Sequence, residues 1–591
     1  MPVIQLPIIK GKGKKSHIAD YADLLPVNML AVPQPVLNAA GYMRSFPGIV
    51  KTSDVAGVSR GAEYNTKQNQ VFRVAGSRMY AAGTALGVTI PGTGRVSMAH
   101  SYNSQGVAAN GQLLFYSYSD KTLTPLDNWP SAAVTREGYE KTLNAWTHGA
   151  GGDAFLVPDE SQNGKITITL TPTKADGTTG EALTISENQW GKEQTQTEPD
   201  GGGPWLSGVL VDGKKTSGSL VSLSWTFNGG GEDATAISVD LVVEEITQDY
   251  AQYEIGAVRD ICHNRSRYIW VKDGSDNFGI TDLEDETHPD QYRPLYRAES
   301  MPDGIQGVAN WRDMVVCFGS STTEYFSLTG STSVTESVYM AQPSLMVNIG
   351  IAGTHCKCHY GESFAVLSHP ATGAPGIFII DSGSKKELST PTVNKILAGY
   401  SADELAGAVL EAVRFDGHEL LLVHLQRHTL CFDSTASGDS PQWCILKSGL
   451  YDDVYRAVDF VWDGSAMTVG DKTTGIAGAL DFAIASQYGE AAELLLHTPL
   501  AKADNQLLFD FEIETAAGLA LYAEKCFIAA TTDGINFGHE QLIPSDDRYR
   551  YDQRIIWRQV GRCRKNIGFR LRFVTKTPAA LAYCQLRIGY G

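Results

Sequence analysis

One recurrence constrains this chain more than any other feature. Val58, Val96, Val258, Val308, Val413 and Val458 each open a short apolar run that meets a polar turn and is followed by further strand-like runs. Around Val413 the pattern is Val413-Arg414-Phe415, a turn at Asp416-Gly417, then Leu420-Leu421-Leu422-Val423. A seventh, less regular unit runs from Cys356 through Phe364–Leu367 to Ile377–Ile380. Repeats of roughly 40–50 residues built from short strands are the blades of a β-propeller. A single blade cannot bury both of its apolar faces, so the blades must stack in a ring. The expected fold is all-β: a propeller of six or seven blades with an N-terminal arm, an inserted domain and a C-terminal β domain.

The spacing also places the insertion. Val96 and Val258 are too far apart for consecutive units, and taking out residues 131–249 restores the usual interval. Within that segment Ile166, Ile168 and Leu170 alternate with threonines, and Val221, Leu223, Trp225 and Phe227 with serines and Thr226. Period-two alternation with one polar face predicts antiparallel sheets, most simply a small β-sandwich with loops at Gly201–Gly203 and Gly229–Gly231. Insertions survive in exposed loops, so this domain is expected to be dispensable for assembly. The propeller then occupies 57–130 and 250–482. Residues 483–591 form a second β domain, in which Leu507, Phe509, Phe511 and Ile513 define an apolar face and Thr531–Phe537 a hairpin turn.

Residues 1–56 carry prolines at 2, 7, 26, 33, 35 and 47 and a basic cluster at Lys10, Lys12, Lys14 and Lys15. Proline breaks helices and central strands, which predicts an extended arm. Leu24, Leu25, Val27, Met29 and Leu30 are too apolar for water, so the arm is expected to dock, with a neighbouring subunit as the favoured host. The one clear helix start is Ser401-Ala402-Asp403-Glu404, a capping box.

The net charge of −18 argues against a surface that grips phosphates, since that needs a cationic face. Nine scattered cysteines form no disulfide framework and suggest reduced thiols in a cytosolic compartment. No signal peptide and no membrane-spanning run is expected. His355-Cys356-Lys357-Cys358-His359 offers metal-ligating side chains, but strand alternation would send the cysteines one way and the histidines the other. Asp282, Glu284, Asp285 and Glu286 fit no calcium loop and read as an acidic turn. Gly13-Lys14-Lys15-Ser16 lacks the upstream glycine of a phosphate loop. The histidines and serines show no local nucleophile–base signature. No cofactor, metal or catalysis is expected.

Positive charge concentrates near the C-terminus, at Arg548, Arg550, Arg554, Arg558, Arg562, Arg564, Lys565, Arg570 and Arg572. Phe569, Leu571 and Phe573 alternate with Arg570 and Arg572, predicting a strand with an apolar and an arginine face. Arginine forks suit carboxylates as well as phosphates. In so acidic a chain the first expectation is contact between subunits, the second contact with DNA, the third a solvated face. Arg554, Arg558, Arg562, Arg564, Arg570, Arg572, Lys12, Lys14 and Lys15 are the candidate interaction residues.

Several runs are distinctive beyond their periodicity: Tyr21–Leu30, Gly41–Ile49, Asp282–Asp290, Cys317–Gly330, Ser368–Pro375 and Gly449–Arg456. Together, and in this order, they resemble the packaged-DNA stabilisation or tail hub proteins of short-tailed Salmonella-type temperate bacteriophages, outside residues 131–249. The resemblance implies a structural virion protein, assembled in the host cytoplasm as a homohexameric ring below the portal and its adaptor ring. Such a ring would help retain packaged DNA, let double-stranded DNA pass at ejection, and carry the tail needle and tailspikes. The competing readings are a propeller glycosidase with acidic residues near its axis, and a carbohydrate-binding adhesin using Trp190, Trp205 and Trp225.

Overall fold

A computed structural model describes residues 2–8, 24–36, 39–129, 132–134, 139–144, 149–156, 166–174, 176–186, 189–196, 204–212, 220–229, 234–243, 246–248, 252–283, 285–298, 300–330, 337–370, 373–437, 441–451, 453–515, 525–543 and 555–590. Lys12, Lys14, Lys15, Arg548, Arg550, Arg554, Glu284 and the loop glycines 201–203, 230 and 231 lie outside them.

The repeats are seven four-stranded antiparallel blades. Their first strands are Ser59–Asn65, Ser97–His100, Val258–Asn264, Ile305–Trp311, Lys357–Tyr360, Val409–Phe415 and Ala457–Trp462. Each begins at or near one of the seven positions that open the repeats in the sequence. Ser59–Asn65 lies beside Ala457–Trp462, so the last blade meets the first and the ring closes. Apolar clusters fill the spaces between blades; one runs through Val316, Phe318, Phe364, Val366, Leu421 and Val423, all buried.

The arm is the main departure from expectation. Gly48–Asp54 is the fourth strand of the seventh blade, pairing with Ile476–Asp481 in a register that sets Ile49 opposite Leu480. Val3–Pro7, Met29–Val32 and Tyr42–Ser45 join a sheet with Ala580–Tyr590, Gln506–Thr515 and Ile555–Cys563. Met29 is fully buried and Leu30 and Val27 nearly so, all against their own chain. Asn28 fixes this docking: its Nδ2 donates to the Lys447 and Glu493 carbonyls, and its Oδ1 accepts from the Lys447 amide. The arm therefore knits the sixth blade to the C-terminal domain. Its prolines stand between or at the ends of short strands, where a missing amide costs nothing.

The C-terminal domain pairs that sheet with a second, in the order Ala492–His497, Asn566–Thr575, Lys525–Thr531, Gln541–Ile543. Phe511 stacks on Phe569 with centroids 3.9 Å apart at the centre of the core. Leu508, Phe511 and Ile513 are buried, whereas Leu507 and Phe509 are only half-buried. A register shift between Leu508 and Asp510 explains this, because one extra residue exchanges the two faces of a strand. Ser401 and Glu404 make the expected capping box. Asp533 accepts the Ile535 and Asn536 amides to close the Thr531–Phe537 turn.

Trp129–Gln252 is a separate compact unit. It holds a four-stranded sheet (Tyr139–Asn144, Ala234–Val243, Ile166–Lys174, Leu183–Ser186), a three-stranded sheet (Gly149–Leu156, Leu220–Gly229, Pro204–Asp212), and a two-stranded neck of Ala132–Val134 with Ile246–Gln248. Ile168, Leu170 and Ile185 of the first sheet and Leu206 and Val209 of the second are fully buried.

Because the arm belongs to the fold, Met29→Ala is expected to destabilise the monomer by about 2–5 kcal/mol, the cost of truncating a buried methionine. Urea denaturation of the isolated chain checks this. A variant as stable as the wild type would return the arm to the role of a loose tether.

Candidate functional site

The first strands of the blades converge on a cavity of about 380 Å³ lined by Glu63, Arg95, Asp260, His355, Lys357, Cys358, His359, Glu411 and Asp459, among others. Its charges are paired. Arg95 grips Asp459 through two nitrogens, at 2.5 and 3.2 Å. Ser59 Oγ donates to Asp459 Oδ2 at 2.5 Å, and Arg73 donates both to Ser59 Oγ and to the Asp459 carbonyl. Lys357 Nζ donates to Asp260 Oδ2 at 2.7 Å. These contacts tie the seventh blade to the first two, and the fifth to the third.

A backbone irregularity aims Asp459. Its strand carries a bulge between Val458 and Val461, and Asp459 sits in the left-handed region at φ 59°. Aspartate tolerates that region better than most residues, though at some cost. The Asp459 amide donates to Glu411 Oε1 at 2.6 Å, and Glu411 Oε2 faces His424 Nε2 at 3.1 Å. Burial pushes the Asp459 carboxyl up, but Arg95, Arg73 and Ser59 outweigh it and hold it below the usual carboxylate range. Burial, with Lys472 beside it, lowers His424 to about 4. Lys472 Nζ meets His424 Nδ1 at 2.9 Å, and burial lowers its pKa to about 7. Asp459 is thus held in an ion pair, and Glu411 by the Asp459 amide and the neutral His424 ring, unlike a free acid–base couple.

The remaining candidates are placed as follows. Cys356 precedes its strand and turns into the core, its thiol donating to the Leu405 carbonyl at 3.2 Å, so strand alternation starts only at Lys357. His359 packs its ring on Phe364. Among the described residues no three metal-ligating side chains converge, and all nine cysteines are free. In the acidic turn Glu286 accepts from Ser101 and Ser104, Asp285 from Thr287, and Asp282 from the Gln291 amide.

Arg570 and Arg572 find carboxylates in their own chain. Arg572 forks onto Glu540 at 2.5 and 2.9 Å and reaches Glu493 at 3.5 Å, while Arg570 meets Glu540 at 3.1 Å. Their guanidinium groups lie over Phe527 and Phe537. Arg558, Arg562 and Arg564 differ: they are exposed and make no ion pair among the described residues. Arg558 and Arg562 stand on Ile555–Cys563, the edge strand of its sheet.

Comparison with known proteins extends the likeness into residues 131–249, which the sequence resemblance leaves out. A family model described as bacteriophage P22 Gp10, beta-propeller, matches residues 4–143 and 221–485. A second, bacteriophage P22 Gp10, beta-sandwich, matches 493–589. The tail hub protein gp10 of Salmonella phage P22 is 44% identical over 588 residues, covering all of both chains. Solved structures align only distantly. The extracellular domain of a one-component system from B. thetaiotaomicron is 10% identical over 94% of this chain and 95% of its own, with a TM-score of 0.24. Hsv2 of Kluyveromyces lactis is 12% identical over 66% and 97%, with a TM-score of 0.25. Neither bears on function. The chain belongs to the P22 Gp10 family of phage tail hub proteins, structural components of the virion tail. Among its described residues no helix is long and apolar enough to cross a membrane.

Two stability measurements probe the axial network. Removing one partner of a buried pair leaves the other charge uncompensated, so Asp459→Asn is expected to cost about 3–5 kcal/mol in urea melts. Lys472 gives a pH signature. Its folded pKa, about 7, lies below an unfolded value of about 10.4. Between the two the unfolded chain holds the extra proton, so this group makes stability rise with pH from 7 to 10. Lys472→Met should flatten that rise relative to wild type; an unchanged slope would mean the ammonium is well solvated.

Proposed function

We propose that six copies of this chain form a ring below the portal and its adaptor, where they retain packaged DNA and carry the tail needle and tailspikes. The single observation that carries this reading is the end-to-end match to a phage tail hub protein. Assembly takes place in the host cytoplasm. The work of such a subunit is geometric: a closed ring offers the same surface repeatedly, so that weak contacts add.

The axial network supports one path for the genome. A cavity of about 380 Å³ crossed by ion pairs cannot pass a duplex whose major groove alone is about 12 Å wide. DNA therefore runs along the symmetry axis of the ring, between subunits. A net charge of −18 per chain, repeated around that axis, repels the duplex and lets it slide without being gripped.

Subunit contact falls to Arg558, Arg562 and Arg564, because Arg570 and Arg572 already have intramolecular partners. The acidic surface of a neighbouring copy supplies the complementary charge. Replacing all three with glutamine is expected to leave the monomer melt unchanged while the rings dissociate at lower salt or at higher protein concentration than wild type, read by sedimentation velocity. Intact rings with impaired genome retention would assign these arginines to DNA instead. Unaltered rings and retention would remove them from both roles.

A further inference from the structure

Where the first two blades meet, three side chains stand in an order that neither the tail hub role nor the axial network requires. Thr66 opens the turn after Ser59–Asn65 and is exposed. Its Oγ1 lies 3.0 Å from His100 Nε2, at the end of the neighbouring blade's first strand. On the other side of the ring, His100 Nδ1 lies 2.8 Å from Glu63 Oε1. A hydroxyl, an imidazole and a carboxylate in that sequence are a nucleophile, its base and the group that orients the base.

The support behind them is buried and hydrogen-bonded. Gln105, wholly buried, donates to Glu63 Oε2 at 2.7 Å and to the Ala99 carbonyl at 3.0 Å. Asn65, also wholly buried, reaches Gln105 Oε1 and accepts the Lys67 and Gln68 amides. With Glu63 fixed as the acceptor, His100 carries its proton on Nδ1 and turns Nε2 to Thr66, whose hydroxyl lies 3.0 Å from it and whose amide donates to it at 3.4 Å. Two residues after His100, Tyr102 is 74% exposed, with Lys67 Nζ 5.3 Å from its ring centroid. An aromatic face left in water next to a polar array suits a flat or cyclic group.

We propose that Thr66, His100 and Glu63 form an acyl-transfer site for small acetyl esters of ring-bearing alcohols, the ring resting against Tyr102. Thr66 Oγ1 attacks the ester carbonyl while its proton passes to His100 Nε2. The bond from the carbonyl carbon to the alcohol oxygen breaks, and the alcohol leaves with that proton. Water, deprotonated by the same nitrogen, then releases acetate and restores Thr66. Glu63 positions the imidazole and offsets the charge it gains. The Lys67 and Gln68 amides are committed to Asn65, so the oxyanion receives little help and turnover is slow.

The test uses the full-length protein and p-nitrophenyl acetate, with peptide mass spectrometry locating the acetyl group. The expected result is acetylation at Thr66, retained in Thr66→Ser, lost in Thr66→Ala, and about 10²-fold slower in His100→Gln, the contribution of a general base. Glu63→Gln keeps a hydrogen-bonding group against His100 and removes the charge, so it must also slow labelling. Melts of each variant confirm the fold. Acetyl found only on lysines, or Thr66 labelled at the wild-type rate in both His100→Gln and Glu63→Gln, overturns the proposal and leaves His100 as a cap on the turn.

Discussion

Ring closure is the constraint on which the rest of this structure depends. Seven blades bury their apolar faces only if the last meets the first; an open ring would leave two faces in water. The chain closes the ring in two places with two kinds of interaction. Outside, Gly48–Asp54 supplies the strand that the seventh blade lacks. Inside, Asp459 joins Arg95, Arg73 and Ser59 across the same seam. The entropy of bringing residue 49 to residue 480 grows only slowly with the length of chain between them, so a strand so distant in sequence can still close the ring. Gly470 shows how tight the inner seam is, since a Cβ there would collide with Ser59 and Arg73.

Closure also determines what the propeller can do. The same charges that seal the seam occupy the axis, and they neutralise one another within hydrogen-bonding distance. A hub built this way has no passage through its own blades. Its contribution is rigidity: the arm, the seventh blade and the C-terminal domain are interlocked, with Val3–Pro7 paired to Ala580–Tyr590. Such interlocking suits a structural component of a phage tail.

Much of this was legible in the sequence because blades are local. Each apolar run and turn announces a strand pair a few residues apart, and even the irregular unit at Cys356 is a blade. What escaped depends on long-range pairing. Residues 48–54 sit among prolines and look like part of an arm; nothing nearby says that their partner is 476–481. The Leu508 register shift was hidden because alternation assumes an unbroken strand. Arg570 and Arg572 were visible as a charged face, but Glu540 and Glu493 were not identifiable as their partners. Thr66, His100 and Glu63 lie on two blades, so no local motif could link the three. The capping box at Ser401, by contrast, needs only four consecutive residues, and it was plain.

Native-state hydrogen exchange on the isolated monomer tests closure most directly. The amides of Gly48–Asp54 that bond to Ile476–Asp481 report whether the outer strand belongs to the cooperative unit. If closure holds the ring together, they exchange with the same free energy as the first strands of the blades, through global unfolding. If they instead exchange early, through local opening that leaves the first strands protected, the strand is a frayed attachment and the ring is held by its inner contacts alone.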